Sequence, residues 1–287
     1  MNVFQAAVLG LVQGLAEFLP ISSSGHLILA RMLMGISDAE AATGSYMILD
    51  VLLHTGTLLA VMVVFWKDWW GILKNPFKSR LLLLLIVASI PALVVVLLFN
   101  DLVEQFFTGW FLGVSFLMTA VFLLVAEWIS SKNVHRATKP GMKHAIAMGI
   151  MQAVALLPGV SRSGSTMTGG LCTRLDRKAA AKFAFMMSAP AILGSLLFEG
   201  KDAIEMGYLA ELSLIPTLVG MVVAAVSGYL AIRFMLQLIQ KISLNWFALY
   251  VAIVGVVVLV LQLAGVPGVP PFEIPTLGAV AQALRMG

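Results

Sequence analysis

The chain has 287 residues, of which 60% are hydrophobic and 11% are charged, and its formal net charge is +4. A soluble domain carries about a quarter charged residues, and at this length it still exposes roughly a quarter of its unfolded surface. The composition therefore excludes a soluble globular fold and predicts an all-α polytopic membrane protein. The dispersed cations argue against a nucleic-acid partner, and the single cysteine, Cys172, excludes a disulfide framework.

The first apolar stretch, residues 3–33, is interrupted near its middle. Pro20 is followed by three serines and a glycine at 22–25 and then by His26. Irregular backbone at membrane depth is tolerated only where protein or a wet cavity satisfies its polar groups. We therefore predict a re-entrant hairpin, in which two helices are joined by a polar loop.

Polar residues on both sides of this break form the first half of a candidate site. Gln13 and Glu17 are four residues apart, so they share a helix face, and an ionisable group at membrane depth is a candidate functional residue. Ser23 and His26 are candidate nucleophiles, acids or bases. The alternatives are structural: Glu17 pairs with Arg162 only to hold two hairpins together, and the serines cap the second helix.

Six further stretches are apolar and about long enough to cross the hydrocarbon core as helices. All six tryptophans lie at or just beyond the ends of these stretches, as expected of side chains that settle at the membrane interface. The predicted spans are 47–66, 81–99, 110–128, 183–198, 214–232 and 246–263.

A second interrupted stretch covers residues 144–173, where Pro158-Gly159 and Ser161-Arg162-Ser163-Gly164 break the apolar run. We predict a second re-entrant hairpin here. An arginine at membrane depth needs an anionic partner, and its planar fork suits the oxygens of a phosphate. The flanking glycines and a helix that starts after them would complete an anion-binding cradle. The alternative is an Arg162 that pairs with Glu17 alone.

A shift of 139 residues aligns the two interrupted stretches without a gap. Because each hairpin is followed by three spans, the second unit is inverted relative to the first. The sequence thus predicts one integral membrane domain, 1–287, with inverted repeats at about 1–130 and 140–265 and a C-terminal tail at 266–287. Chance alignment of helices rich in small residues is the alternative. The six identities are Gly10, Gln13, Ala16, Ser22, Ser24 and Gly25 with Gly149, Gln152, Ala155, Ser161, Ser163 and Gly164.

The distribution of cations predicts the orientation of the chain. Segments 67–80, 129–143, 174–182 and 233–245 contain 14 of the 18 lysines and arginines, and the positive-inside rule places them in the cytoplasm. The first hairpin then enters the membrane from outside and the second from the cytoplasm. The histidines beside these basic residues, His135 and His144, are predicted to be solvated.

Two long motifs lie at the breaks of the two hairpins. Residues 13–26 read QGLAEFLPISSSGH, and residues 158–166 read PGVSRSGST. The first resembles the (E/Q)xxxE segment and serine/histidine continuation of the undecaprenyl-diphosphate phosphatases, also called bacitracin-resistance proteins. The second is similar to the PGxSRSxxT motif of that family, and length and span count agree over nearly the whole chain.

The resemblance implies a hydrolase in the bacterial cytoplasmic membrane. It would convert undecaprenyl diphosphate to undecaprenyl phosphate, which recycles the lipid carrier for peptidoglycan synthesis and confers bacitracin resistance. A divalent cation, Mg²⁺ or Ca²⁺, is implied as well, with Glu17 as a metal ligand, although Gln13 removes one carboxylate from a two-glutamate site. The implied catalytic residues are Glu17, Ser23, His26 and Arg162, and the implied substrate-binding residues are Gln13, Ser161, Arg162, Ser163 and Thr166.

Two questions stay open at the level of sequence. A transporter or flippase for a lipid-linked anion would also explain inverted repeats with broken helices. The group that attacks phosphorus is Ser23 activated by Glu17, or His26, or a water molecule, and we favour Ser23. The expected partners are the polyprenyl diphosphate substrate and membrane lipid, and a homodimer is compatible with the sequence.

Overall fold

The computed structural model describes residues 2–36, 44–106, 108–132, 135–205, 207, 213–266 and 268–272. Within these ranges the chain consists of helices joined by short connections, which confirms the all-α prediction. In chain order the helices are α1 (Val3–Phe18), α2 (Ser23–Leu33), α3 (Gly44–Val64), α4 (Trp66–Lys74), α5 (Arg80–Phe106), α6 (Leu112–Ser130), α7 (Met142–Val154), α8 (Arg162–Cys172), α9 (Arg177–Glu205), α10 (Leu214–Leu238) and α11 (Asn245–Leu263).

The prediction of about six spans is confirmed for the part of the chain that the structure describes. Helices α5, α6, α9, α10 and α11 are each long and apolar enough to cross a membrane, and α3 together with α4 forms a bent sixth candidate. The ends differ from the predicted ones by a few residues. The fourth span, predicted to begin at residue 183, belongs to a helix that already begins at Arg177. The predicted tail lies mostly outside the described residues.

The connection after the first span contains a helix that the sequence pattern did not predict. Helix α4 turns by 79° away from the axis of α3 at a break next to Phe65. Trp66, Trp70 and Leu73 are more than half exposed, whereas Ile72 is buried. Such an amphipathic helix is suited to lie in the plane of the membrane interface.

Both interrupted stretches form the predicted pairs of helices joined by a break. In each pair the second helix starts with a serine cap: Ser22 Oγ accepts the Gly25 N–H at 3.4 Å, and Ser161 Oγ accepts the Gly164 N–H at 3.1 Å. The capping interpretation of the first hairpin is therefore correct for one of its serines, and the second hairpin has an equivalent cap. Ser22 adopts φ 74°, a conformation that favours glycine and costs other residues on the order of 1–3 kcal/mol.

The two breaks are bonded to each other by reciprocal contacts. Ser163 Oγ donates to the carbonyl of Leu19 at 3.0 Å, and Ser24 Oγ accepts the Gly159 N–H at 3.5 Å. Ser24 and Ser163 are equivalent under the shift of 139 residues, so each hairpin supplies the same serine to the break of the other. These contacts bring the polar segments of both hairpins together.

The first helix of each hairpin crosses a span of the other half so closely that the two backbones are in contact. A Cβ atom on Gly10 of α1 would lie 2.4 Å from the carbonyl oxygen of Gly220 in α10, and a Cβ on Gly149 of α7 would lie 2.6 Å from that of Ala88 in α5. Gly10 and Gly149 are equivalent, and both crossings exclude any larger residue. The two halves are therefore interlocked by matching contacts.

The two hairpins differ in how deeply their second helices are buried. Nine consecutive residues of α8, from Ser163 to Leu171, are buried. In α2, by contrast, only Gly25 and Leu27 are buried. Helix α8 therefore lies inside the bundle, whereas α2 lies at its edge with one side toward the surroundings.

Charged groups at the predicted cytoplasmic side tie the spans together. Glu127 of α6 accepts hydrogen bonds from the Arg177 guanidinium at 3.0 Å and from the Leu244 N–H at 2.7 Å. Of the two histidines predicted to be solvated, His135 is exposed, but the prediction is wrong for His144. That residue is 3% exposed. Its Nδ1 accepts the Gly141 N–H at 2.9 Å, so the side chain folds back on the start of α7 and caps it.

The charge-based orientation predicts which residues a membrane-impermeant thiol reagent reaches from outside intact cells. Cys172 is exposed, so it must first be replaced by serine. In that background a cysteine at Glu205 should be labelled, whereas a cysteine at Lys74 should react only after the cells are opened. Both positions are exposed in the structure, which makes the pair matched. Labelling in the reverse order would refute the assignment of the outer and cytoplasmic faces.

Candidate active site

The centre of the site is the carboxylate of Glu17, which is 7% exposed at the end of α1. Its Oε2 accepts hydrogen bonds from Gln13 Nε2 at 3.1 Å and from Ser23 Oγ at 2.5 Å. Its Oε1 forms an ion pair with the guanidinium of Arg162, which belongs to the other hairpin. Predicted residues from both hairpins therefore converge on one buried carboxylate.

The break after α1 brings Ser23 back to the helix that it has just left. A residue before proline avoids helical backbone, and Leu19, which precedes Pro20, is extended with φ −73° and ψ 144°. Helix α1 consequently ends at Phe18, and α2 begins at Ser23, four residues after Leu19. Ser23 is thereby placed against Glu17, six residues earlier, and it remains only partly buried. A substrate can therefore reach its hydroxyl.

Arg162 is the first residue of α8, and it is the cation of the site. Its side chain is 19% accessible, and a guanidinium has five N–H donors, so donors remain beyond the pair with Glu17. A buried carboxylate without a cation would be strongly destabilising, which the pair prevents. The predicted pairing with Glu17 is found, and it leaves Arg162 able to bind an anion as well.

Three other residues predicted to bind substrate use their hydroxyls on backbone groups. Ser161 caps α8 and is 1% exposed, and Ser163 bonds the carbonyl of Leu19. Thr166 Oγ1 donates to the Arg162 carbonyl at 2.7 Å and is fully buried. These contacts fix the backbone around Arg162. A direct contact of these residues with substrate stays a prediction.

His26 lies beside this cluster with both ring nitrogens bonded away from Glu17. Nδ1 lies 2.7 Å from the Ser22 carbonyl, and Nε2 lies 2.8 Å from the hydroxyl of Tyr250. A carbonyl can only accept, so in the neutral imidazole Nδ1 carries the hydrogen and Nε2 accepts from Tyr250. The ring also stacks on Tyr250 and meets the edge of Phe116, with centroids 5.7 and 5.3 Å away.

Tyr250 was not identified from the sequence. It lies within the span 246–263, where no neighbouring polar residue or motif draws attention to it. The available signal is that a tyrosine hydroxyl inside a membrane span needs a hydrogen-bond partner. That signal does not name the partner, because His26 is 224 residues away in sequence.

The residues around Glu17 offer a small set of oxygen ligands for a divalent cation. Among the described residues no three His, Cys, Asp or Glu side chains come together, so there is no all-protein cage in that part of the chain. Gln13 Oε1, however, is buried without a hydrogen-bond partner and belongs to the residue that bonds Glu17. One carboxylate and one amide oxygen, completed by phosphate oxygens, suit Mg²⁺, which is usually bound together with its substrate. The donor set therefore fits such an ion.

This arrangement has the parts that phosphoryl transfer to a hydroxyl requires. A partly accessible serine donates to a buried carboxylate, which can take its proton as the oxygen attacks. A guanidinium beside the same carboxylate can bind two oxygens of one phosphate. Phosphoryl transfer depends mainly on positioning and charge neutralisation, and both are available here.

The comparison with known proteins identifies the family. The model of the family described as bacitracin resistance protein BacA matches residues 6–257. This chain belongs to the BacA family. An undecaprenyl-diphosphatase of Carboxydothermus hydrogenoformans is 42% identical over 269 residues, which cover 92% of this chain and 99% of that protein.

Other BacA relatives agree over the same range. Undecaprenyl-diphosphatase 4 of Bacillus thuringiensis subsp. konkukian is 42% identical over 93% of this chain and all of that protein. The undecaprenyl-diphosphatase of Halothermothrix orenii is 39% identical over 91% of this chain and 98% of that protein. The family model covers both hairpins, the first five spans and most of the last one, and the resemblance seen in the two motifs is confirmed.

Proposed function

We propose that this chain hydrolyses undecaprenyl diphosphate to undecaprenyl phosphate and inorganic phosphate in the bacterial cytoplasmic membrane. The observation that carries the proposal is the convergence of Ser23 and Arg162 on the buried carboxylate of Glu17. Membership of the BacA family and the names of the relatives support the same substrate. Release of the monophosphate returns the lipid carrier to peptidoglycan synthesis, and the family description associates this activity with bacitracin resistance.

The reaction proceeds in two steps, formation of a phosphoserine and its hydrolysis. Arg162 binds oxygens of the terminal phosphate, and Ser23 Oγ attacks its phosphorus while Glu17 takes the hydroxyl proton. The bond from phosphorus to the bridging oxygen breaks, and undecaprenyl phosphate leaves with the electron pair. The proton on Glu17 passes to the departing undecaprenyl phosphate, which restores the carboxylate. Water then attacks the phosphoserine while Glu17 accepts a proton from it, the bond from phosphorus to Ser23 Oγ breaks, and Glu17 returns the proton to that oxygen as inorganic phosphate departs.

His26 is assigned a supporting role in this scheme. To attack phosphorus, its Nε2 would first have to give up the hydrogen bond from Tyr250, whereas Ser23 already points its hydroxyl at a base. The imidazole borders the same break through the Ser22 carbonyl. It therefore orients the start of α2 and holds the Tyr250 hydroxyl beside the break.

The isoprenoid tail is accommodated on the side of α2. This helix lies at the edge of the bundle with only Gly25 and Leu27 buried, and it carries Ser23 and His26. A substrate whose tail stays among lipid chains can therefore present its diphosphate to Ser23 from that edge. Helix α8, buried along nine consecutive residues, closes the opposite side.

Phosphate release by purified protein tests the proposed function and separates it from the flippase alternative. In detergent micelles, undecaprenyl diphosphate should yield inorganic phosphate at a rate proportional to the amount of protein. A flippase needs a sealed bilayer and releases none, so an absence of phosphate release from folded protein would contradict the hydrolase. A preparation of the Ser23→Ala variant, made in parallel, controls for contaminating phosphatases.

We further propose that Mg²⁺ or Ca²⁺ is held by Glu17 and by Gln13 Oε1, the oxygen without a hydrogen-bond partner, together with the phosphate. When bound, the ion would neutralise charge that builds up on the diphosphate. The replacement Gln13→Met removes the oxygen at similar length, so the Mg²⁺ concentration for half-maximal activity should rise about tenfold. Gln152, the equivalent residue of the other hairpin, provides the control as Gln152→Met. Equal Mg²⁺ dependence in both variants, or full activity in chelator, would refute this metal site.

A further inference from the structure

The break of the second hairpin is bonded to α6 and not only to its own helices. Residues 155–161 pass through Pro158, which lacks an N–H, and through Gly159 at φ 89°. A Cβ on Gly159 would lie 2.7 Å from Ser115 Cβ and 2.9 Å from Leu112 Cδ1. The break is therefore pressed directly against α6, where water does not satisfy its backbone groups.

One hydroxyl on α6 serves two of these groups. Thr119 is 1% exposed, and its Oγ1 accepts the Ser161 N–H at 2.9 Å. The same Oγ1 donates its hydrogen toward the Gly159 carbonyl at 3.1 Å, with the Ser115 carbonyl of its own helix at 3.2 Å. Thr119 thus bonds the chain on both sides of Val160.

Arg162 follows immediately after the residue whose N–H this threonine binds. Ser161 is at once the partner of Thr119 through its backbone and the cap of α8 through its side chain. Fixing the backbone on both sides of Val160 fixes the direction in which α8 starts. Further along, Thr168 of α8 donates to the Phe122 carbonyl of α6 at 3.1 Å, so the same helix supports α8 beyond its first turn.

We propose that Thr119 is a positioning residue that aims Arg162 at the phosphate. The inference rests on the proposed function, because it assigns Arg162 to the diphosphate. Thr119 contacts neither Glu17 nor the reacting atoms, and it acts by holding Gly159 and Ser161. A hydroxyl is required, since it accepts one bond and donates another. Valine, which has the same shape, can do neither.

The test compares three threonine variants. Thr119→Val should lower kcat about tenfold or more with a smaller change in KM, because two buried backbone groups lose their partner, whereas Thr119→Ser should stay within about threefold of wild type. Thr217→Val is the matched control: Thr217 is equally buried, and within the described residues its hydroxyl bonds the carbonyl of Ser213, the N-cap residue of its own helix. It should keep wild-type kinetics. Thr119→Ala removes the same hydroxyl if the valine variant does not fold.

A double-mutant cycle distinguishes positioning from a general loss of stability. If Thr119 acts through Arg162, Thr119→Val should cause no further loss in an Arg162→Lys background, whereas a general defect would add to it. Equal kcat in wild type and Thr119→Val, or additive losses, would overturn the proposal. Binding of undecaprenyl diphosphate, measured by calorimetry in a Ser23→Ala background that does not turn it over, gives an independent readout: the affinity should weaken in Thr119→Val by less than kcat falls, and it should not change in Thr217→Val. Such binding with no turnover in wild type would refute the hydrolase and still support the role of Thr119.

Discussion

Replacing Arg162 by lysine should lower kcat/KM about a hundredfold to a thousandfold, nearly as much as replacing it by alanine. Lysine keeps the positive charge that Glu17 requires, so the buried carboxylate stays paired and the protein should fold. What lysine lacks is the planar fork that binds two oxygens of one phosphate. The measurement is the rate of phosphate release as a function of substrate concentration in micelles.

The chain offers a matched control for this substitution. Arg177 also pairs with a glutamate, Glu127, and its side chain is 20% accessible compared with 19% for Arg162. Arg177→Lys should therefore have a similar effect on stability but leave turnover within about threefold of wild type. Near-wild-type turnover in Arg162→Lys would show that charge alone matters at this position and would refute bidentate binding.

Replacing Ser23 by alanine should lower kcat about a thousandfold or more, because it removes the atom that attacks phosphorus. The substrate should still bind, since Arg162 is unchanged. Ser24→Ala is the control: Ser24 lies next in sequence and bonds Ser22 and Gly159, not Glu17, and its bond from the Gly159 N–H is long, at 3.5 Å, so little is lost with it. It should retain most of the activity, and His26→Gln should be impaired but measurably active.

The chemical stability of a trapped phosphoenzyme decides among the three nucleophiles. A phosphoserine survives acid and is lost in base, whereas a phosphohistidine is lost in acid and survives base. We expect the first behaviour in wild type and no phosphoenzyme in Ser23→Ala. A species that is labile in acid would identify His26 instead. Full turnover of Ser23→Ala would leave a directly attacking water molecule as the remaining route.

The helices could be predicted from sequence because the chemistry of the membrane leaves few alternatives. Long apolar runs must be helical where no water satisfies the backbone, and Pro20 and Pro158 mark the breaks. The turn into α4 could not be predicted in the same way. Trp66 to Lys74 has the composition of an interfacial segment whether or not it is helical, and the bend depends on the backbone around Phe65.

The cluster around Glu17 could be predicted where its residues belong to motifs, whereas contacts made by single residues on distant spans were missed. Glu17, Ser23 and Arg162 are unusual in apolar surroundings. The free-energy cost of placing such side chains at membrane depth is enough to mark them as candidate functional residues. Thr119 and Tyr250 are tolerated in any span, because a threonine can bond its own helix and a tyrosine can reach a neighbour. Their partners, Ser161 and His26, are 42 and 224 residues away, and only packing brings them together.

The register of 139 residues that aligns the hairpins places unlike residues at the reactive positions. Leu156 occupies the place of Glu17, and Arg162 occupies the place of Ser23. In the proposed mechanism one hairpin thus contributes the base and the nucleophile, and the other contributes the cation. A reaction centre with true twofold symmetry would accept a polyprenyl diphosphate in two directions, one of which would present the wrong phosphate to the serine. Because the two similar hairpins carry different reactive residues, the proposed mechanism predicts a single productive direction for the substrate, with its terminal phosphate toward Arg162 and its tail toward lipid.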